Sequence, residues 1–135
     1  MGLDNIPQPY PCKSLARVKK LKISYKYKDG KRLINCSNTP CPFHELSHII
    51  GILGTHCWLR GKVYNAVVEE YLGRSLYKKL SRRELEDILS GLKDVFLGGK
   101  VSCDGETFKL ALELISYLET LLSIREWNGS LIPWY

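Results

Sequence analysis

Residues 20–36 read Lys-Leu-Lys-Ile-Ser-Tyr-Lys-Tyr-Lys-Asp-Gly-Lys-Arg-Leu-Ile-Asn-Cys, and the reading of this stretch sets the fold class. Leu21, Ile23, Tyr25 and Tyr27 alternate with Lys20, Lys22, Ser24, Lys26 and Lys28. A period of two belongs to a β-strand with unlike faces. Asp29-Gly30 supplies the positive φ angles of a tight two-residue turn. A hairpin with that loop pairs Tyr27 with Arg32, Tyr25 with Ile34, and Ile23 with Cys36. The lysines then share one face. The tyrosines and Cys36 share the apolar other.

Upstream, Pro7, Pro9 and Pro11 each fix φ and lack a donor, so residues 1–12 are expected to form an extended arm. Downstream the period changes to that of helices. Pro42 suits a first helical turn, and Phe43, Leu46, Ile49, Ile50 and Leu53 share a face before Gly54. A second helix is expected over 58–72, with Gly61 delaying its start, Val63, Val67 and Tyr71 inward, and Gly73 as its stop. A third opens on a capping box, Ser81 with Glu84, carries Leu85, Ile88, Leu89, Leu92 and Val95 inward, and ends at Gly98-Gly99. A fourth covers 106–126 with Phe108, Leu112, Ile115, Leu118 and Leu122 inward. The apolar tail from Leu131 to Tyr135 is expected to pack on the body or on a partner. The fold class is α+β: an N-terminal β-hairpin with a metal site, then a bundle of about four helices.

The 135 residues suit a single domain, 1–135, divided into a metal-clipped part (1–57) and a helical part (58–135). No apolar run approaches the roughly 20 residues of a membrane helix. The N-terminal residues lack a basic region followed by an apolar one, so a cytoplasmic location is expected. The net charge of +6 is unevenly spread. Residues 13–32 hold nine basic residues and one acid, while the remainder holds 11 basic and 13 acidic residues. A near-neutral body with one strongly basic segment points to an anionic partner, nucleic acid first. On the hairpin, Lys20, Lys22, Lys26 and Lys28 form a row, with Lys31 and Arg32 across the turn. Alternate strand residues stand about 6.6 Å apart, a spacing suited to tracking a phosphate backbone. Such a row reads charge and not sequence, so binding should depend strongly on salt. Lysines on an exposed hairpin also prevent edge-to-edge association. Arg82-Arg83 and Lys78-Lys79 add basic charge near a helix start, where the helix dipole does not favour it. Binding is one reason for charge placed there.

Four of the five cysteines, and all three histidines, lie in the first 57 residues. Cys36 and Cys41 are spaced C-x4-C around a proline-containing loop, Cys57 follows the first helix, and Cys12 ends the proline arm. Four thiolates of this kind suit a tetrahedral structural zinc, which would clip arm, hairpin and helix together. Two disulfides or buried reduced thiols are the alternatives, and His48 or His56 offers mixed ligation. Cys103 reads as an isolated thiol.

Residues 44–48 spell His-Glu-Leu-Ser-His, the H-E-x-x-H pattern. His44 and His48 on one helical face can share a zinc, with Glu45 as the base for its bound water. The stretch 44–71 resembles the minimal zincin pattern, which implies a zinc peptidase with His56, or Glu69 or Glu70, as third ligand. It departs from the metzincin form, which has a third histidine where this chain has Gly54, and from its Met-turn, since Met1 is the only methionine. A second resemblance lies in Met-Gly-Leu-Asp-Asn-Ile-Pro, Tyr-Pro-Cys and Gly-Thr-His-Cys-Trp-Leu-Arg-Gly-Lys (54–62), which are similar to segments of small uncharacterised archaeal and viral proteins. It carries no activity with it, but it rests on two cysteines and so favours them as the metal site.

The leading expectation is a non-catalytic, zinc-stabilised binding protein for nucleic acid. The alternatives are a minimal zinc peptidase using Glu45, His44, His48 and His56, and an interaction or oligomeric protein using the tail around Trp134.

Overall fold

A computed structural model of the chain describes residues 2–14, 25–34, 43, 57–99 and 101–134. The order of elements is β1 (Asp4–Gln8), β2 (Tyr25–Lys28), β3 (Lys31–Ile34), β4 (Leu59–Arg60), α1 (Gly61–Leu72), β5 (Leu80–Ser81), α2 (Arg82–Leu92), a π-helical turn (Lys93–Leu97), α3 (Gly105–Leu122) and β6 (Ser130–Trp134). The fold is α+β. The expected first helix, over 43–53, lies outside the described residues apart from Phe43.

The helices pack with a four-stranded antiparallel sheet of order β4-β1-β6-β5, which replaces the helix-only body expected after the hairpin. The extended N-terminal segment is not a peripheral arm: β1 is an inner strand. It pairs with β6 from Asp4↔Trp134 to Gln8↔Ser130, and with β4 at Asp4↔Arg60 and Asn5↔Leu59. Its prolines are tolerated for a geometric reason. The Gly61 N–H donates to the Leu3 carbonyl at 2.8 Å, so odd-numbered residues turn their backbone groups toward β4. β4 ends at Asn5, and Pro7 therefore has no rung to break. The same alternation turns Pro133 away from β1. It lies beyond the reach of β5, which pairs only Leu131 and Ser130.

Leu3, Leu59, Tyr64, Val68, Leu76, Leu80, Leu85, Leu92, Leu114, Tyr117, Leu118, Leu121, Trp127 and Leu131 are buried in one core. α1 ends at Gly73, in the left-handed conformation with φ 64°, as its sequence predicts. Val67 is buried and Tyr71 packs on the core as expected, but Val63 is 46% exposed, and Tyr64 and Val68 are buried instead. The reason is Tyr64, whose hydroxyl donates to a buried Glu113 carboxylate at 2.9 Å and so gives the larger side chain a satisfied place inside. α2 carries the expected capping box, with the Ser81 side chain accepting from Glu84 N–H and the Glu84 side chain accepting from Ser81 N–H. α3 opens on Asp104, which accepts from Thr107 N–H at 2.7 Å. Over residues 111–121 it is covered on most sides, and Ala111, Leu114, Tyr117 and Leu121 join the core beside the expected Ile115 and Leu118. Phe108, expected inward, is 39% exposed, with its ring 6.5 Å from that of Phe96.

Two asparagines fix the 74–79 connection. Asn5 Nδ2 donates to the Leu76 carbonyl at 2.8 Å, and Leu76 N–H donates to Asn65 Oδ1 at 2.7 Å. The backbone of one buried leucine is thus held from a strand and from a helix.

Candidate functional site

The hairpin forms as its sequence dictates. Asp29 and Gly30 take φ angles of 53° and 75°, the left-handed pair that a two-residue turn requires. The register is Lys28↔Lys31, Tyr27↔Arg32, Lys26↔Leu33 and Tyr25↔Ile34. Residues directly opposite share a face. Lys26, Lys28, Lys31 and Leu33 therefore lie on one face, and Tyr25, Tyr27, Arg32 and Ile34 on the other. Of the expected basic row, Lys26, Lys28 and Lys31 are brought together. Arg32 is placed on the tyrosine face, and Lys20 and Lys22 lie outside the described residues. β2 and β3 form a sheet of their own, separate from the four-stranded one.

On the apolar face of the hairpin, Tyr27 is 75% exposed. It pairs one rung from the turn, at the tip of a two-stranded ribbon.

The metal-type residues fall into two groups. Cys12 and Cys57 are both buried, and the Cys57 carbonyl accepts a hydrogen bond from Tyr117 Oη at 2.6 Å. The Tyr117 ring also packs on Phe43, with centroids 5.2 Å apart. Cys57 leads into β4 and Cys12 follows β1, so the antiparallel β1–β4 pairing directs both toward the same end of that ladder. The Trp127 indole N–H donates to the Pro9 carbonyl at 2.7 Å and holds the chain just before Cys12. Cys36, Cys41, His44, Glu45, His48 and His56 lie outside the described residues. Among the described residues, no three His, Cys, Asp or Glu side chains are grouped to hold a metal ion. Cys103 is half-buried before α3.

Arg82, considered for ligand binding, has a structural task instead. Its guanidinium donates to the carbonyls of Leu122 at 2.6 Å, Ile124 at 2.9 Å and Trp127 at 2.5 Å, and pairs with Glu86 at 3.2 Å. It satisfies the end of α3 and the turn after it, where carbonyls are left without helical partners. Lys78 is tied to Glu84 at 3.5 Å. The apolar tail is β6: Leu131 is buried, while Trp134 at its end is 68% exposed.

No family model, curated protein or solved structure matches the chain. Among the described residues, no helix is long and apolar enough to cross a membrane.

Proposed function

We propose that the chain acts by binding nucleic acid through its basic hairpin, and that a metal held by cysteines stabilises its N-terminal part. The observation that supports the binding role is the register of β2 and β3. It sets Lys26, Lys28 and Lys31 on one face of a ribbon that, among the described residues, belongs to no larger sheet. Three ammonium groups so arranged meet phosphates without reading bases. Residues 13–32, which run into the hairpin, hold nine basic residues and one acid, and the remainder of the chain is slightly acidic.

The metal role draws support from Cys12 and Cys57, which are buried and directed to one end of the β1–β4 ladder. Cys36 and Cys41 would complete a set of four thiolates suited to zinc. Bound metal would clip the hairpin to the sheet and so hold the lysine face in place.

The binding test is a titration of labelled oligonucleotides at 50 and 200 mM salt. Neutralising three phosphates predicts an affinity loss of roughly 20- to 40-fold between these concentrations. Replacing Lys26, Lys28 and Lys31 together by Gln should remove most of that dependence. An affinity indifferent to salt or to the triple substitution refutes the role. Elemental analysis of protein purified without added metal tests the second part, and Cys12→Ser or Cys57→Ser should lower the bound metal.

A further inference from the structure

The lysine row alone does not distinguish one nucleic acid from another, because every phosphate backbone satisfies it. The opposite face does. Tyr27 is 75% exposed, and the register sets Arg32 as its partner across the ribbon. An exposed aromatic ring is a surface on which an unpaired base stacks. In a duplex the base faces are occupied by their neighbours and are not offered.

Shape points the same way. Lys28 and Lys31 flank the Asp29-Gly30 turn on one face, and Tyr27 and Arg32 follow one rung back on the other. A ligand that uses both faces must bend around the tip of a two-stranded ribbon. A duplex stays straight over about 150 base pairs, whereas a single strand follows such a curve.

We infer that the hairpin takes single-stranded nucleic acid, with Tyr27 stacking on an unpaired base while Lys26, Lys28 and Lys31 meet the backbone. This deepens the proposed nucleic-acid role and rests on it. The exposed ring gives sequence-tolerant stacking, so pyrimidine and purine strands should both bind.

The test uses the full chain and fluorescence anisotropy with two ligands, a labelled 15-nucleotide thymidine strand and a 15-base-pair duplex. The single strand should bind more tightly. Tyr27→Ala should weaken it by at least about fivefold, the low end of base–aromatic stacking, and leave duplex affinity unchanged. Tyr27→Phe should bind like the parent, because stacking needs the ring and not the hydroxyl. Equal loss on both ligands, no loss on the single strand, or failure of Tyr27→Phe to bind like the parent overturns the stacking role. If neither ligand binds, or the Lys26, Lys28 and Lys31 triple Gln variant binds both as the parent does, the broader nucleic-acid reading falls as well.

Discussion

Gly61 gives the sharpest test of how the sheet and α1 are joined. A Cβ built at this position falls 1.8 Å from Asn5 Oδ1 and 3.1 Å from Leu3 Cδ2. The first distance is far inside contact, and Asn5 cannot move freely: it is fully buried, and its Nδ2 holds the Leu76 carbonyl at 2.8 Å. Gly61→Ala must therefore push the Asn5 amide away and break that bond. Overpacking costs about 1–3 kcal/mol, and stranding a buried polar group costs about 1–3 kcal/mol more. Removing a helical glycine returns up to about 1 kcal/mol. The net loss is about 3 kcal/mol, a large share of the roughly 5–15 kcal/mol that holds a domain together. For a chain of this size it should lower Tm by about 10 °C. The decisive variant is the double one. Asn5→Ala alone should destabilise by about 1–3 kcal/mol through the lost Leu76 bond. In Asn5→Ala/Gly61→Ala the new methyl meets no oxygen, so the double variant should be scarcely less stable than Asn5→Ala. Thermal and urea melts of the four proteins complete the cycle. Additivity within about 0.5 kcal/mol, or a Gly61→Ala protein as stable as the parent, refutes the proposed clash.

Three further outcomes are expected. Arg82→Ala should cost about 2–4 kcal/mol in urea melts by stripping charge-assisted bonds from three carbonyls at the end of α3 and in the turn after it, and Arg82→Lys should not restore it, since one ammonium cannot span them. Acid should destabilise the protein through two helix starts. The Ser81 backbone N–H holds Glu84 below its ordinary pKa, and the Thr107 backbone N–H does the same for Asp104. Their stabilisation is complete above the unfolded carboxylate range near pH 4 and is lost as pH falls through the lower folded values, so Glu84→Gln/Asp104→Asn should flatten the acid limb of a Tm-against-pH curve. At the alkaline end the sign reverses. Burial, followed by the charges of Glu70, Cys103 and Asp104, raises the Tyr71 pKa; its contribution is present below the unfolded tyrosine value near 10 and lost as pH rises through the folded one. Tyr71→Phe should reduce that alkaline loss.

What could be read in the chain is what local chemistry decides. The Asp29-Gly30 turn and the alternation before it fix the hairpin and its register. The Ser81–Glu84 box and Gly73 fix helix ends with the same directness. The four-stranded sheet was hidden because two of its strands, β4 and β5, have only two residues each, too short for any period to show. Its longer strands carry Pro7 and Pro133, which argue against inner strands unless the uncovered side of each is known. The face of α1 was misjudged because hydropathy ranks Val63 above Tyr64, and only the distant Glu113 makes Tyr64 the better buried residue. At the candidate site, the lysine face was legible from parity. The exposure of Tyr27 was not, since a period of two gives the face of a residue and not what packs against it.

The pairing of β1 with β6 has a consequence for how the molecule is made. Asp4 finds its partner at Trp134 and Gln8 at Ser130, so β1 waits for residues made more than a hundred positions later. A ribosome delivering the chain vectorially can release the 61–122 helices to collapse among themselves, but the sheet's central seam cannot close until Ser130–Trp134 leave the exit tunnel. Until then β1 exposes an unpaired ladder with Leu3 and Ile6 uncovered, the state in which a nascent chain is most open to wrong partners. The proline of this strand then serves a second purpose, because a ladder interrupted at Pro7 is a poor template for strand addition while it waits.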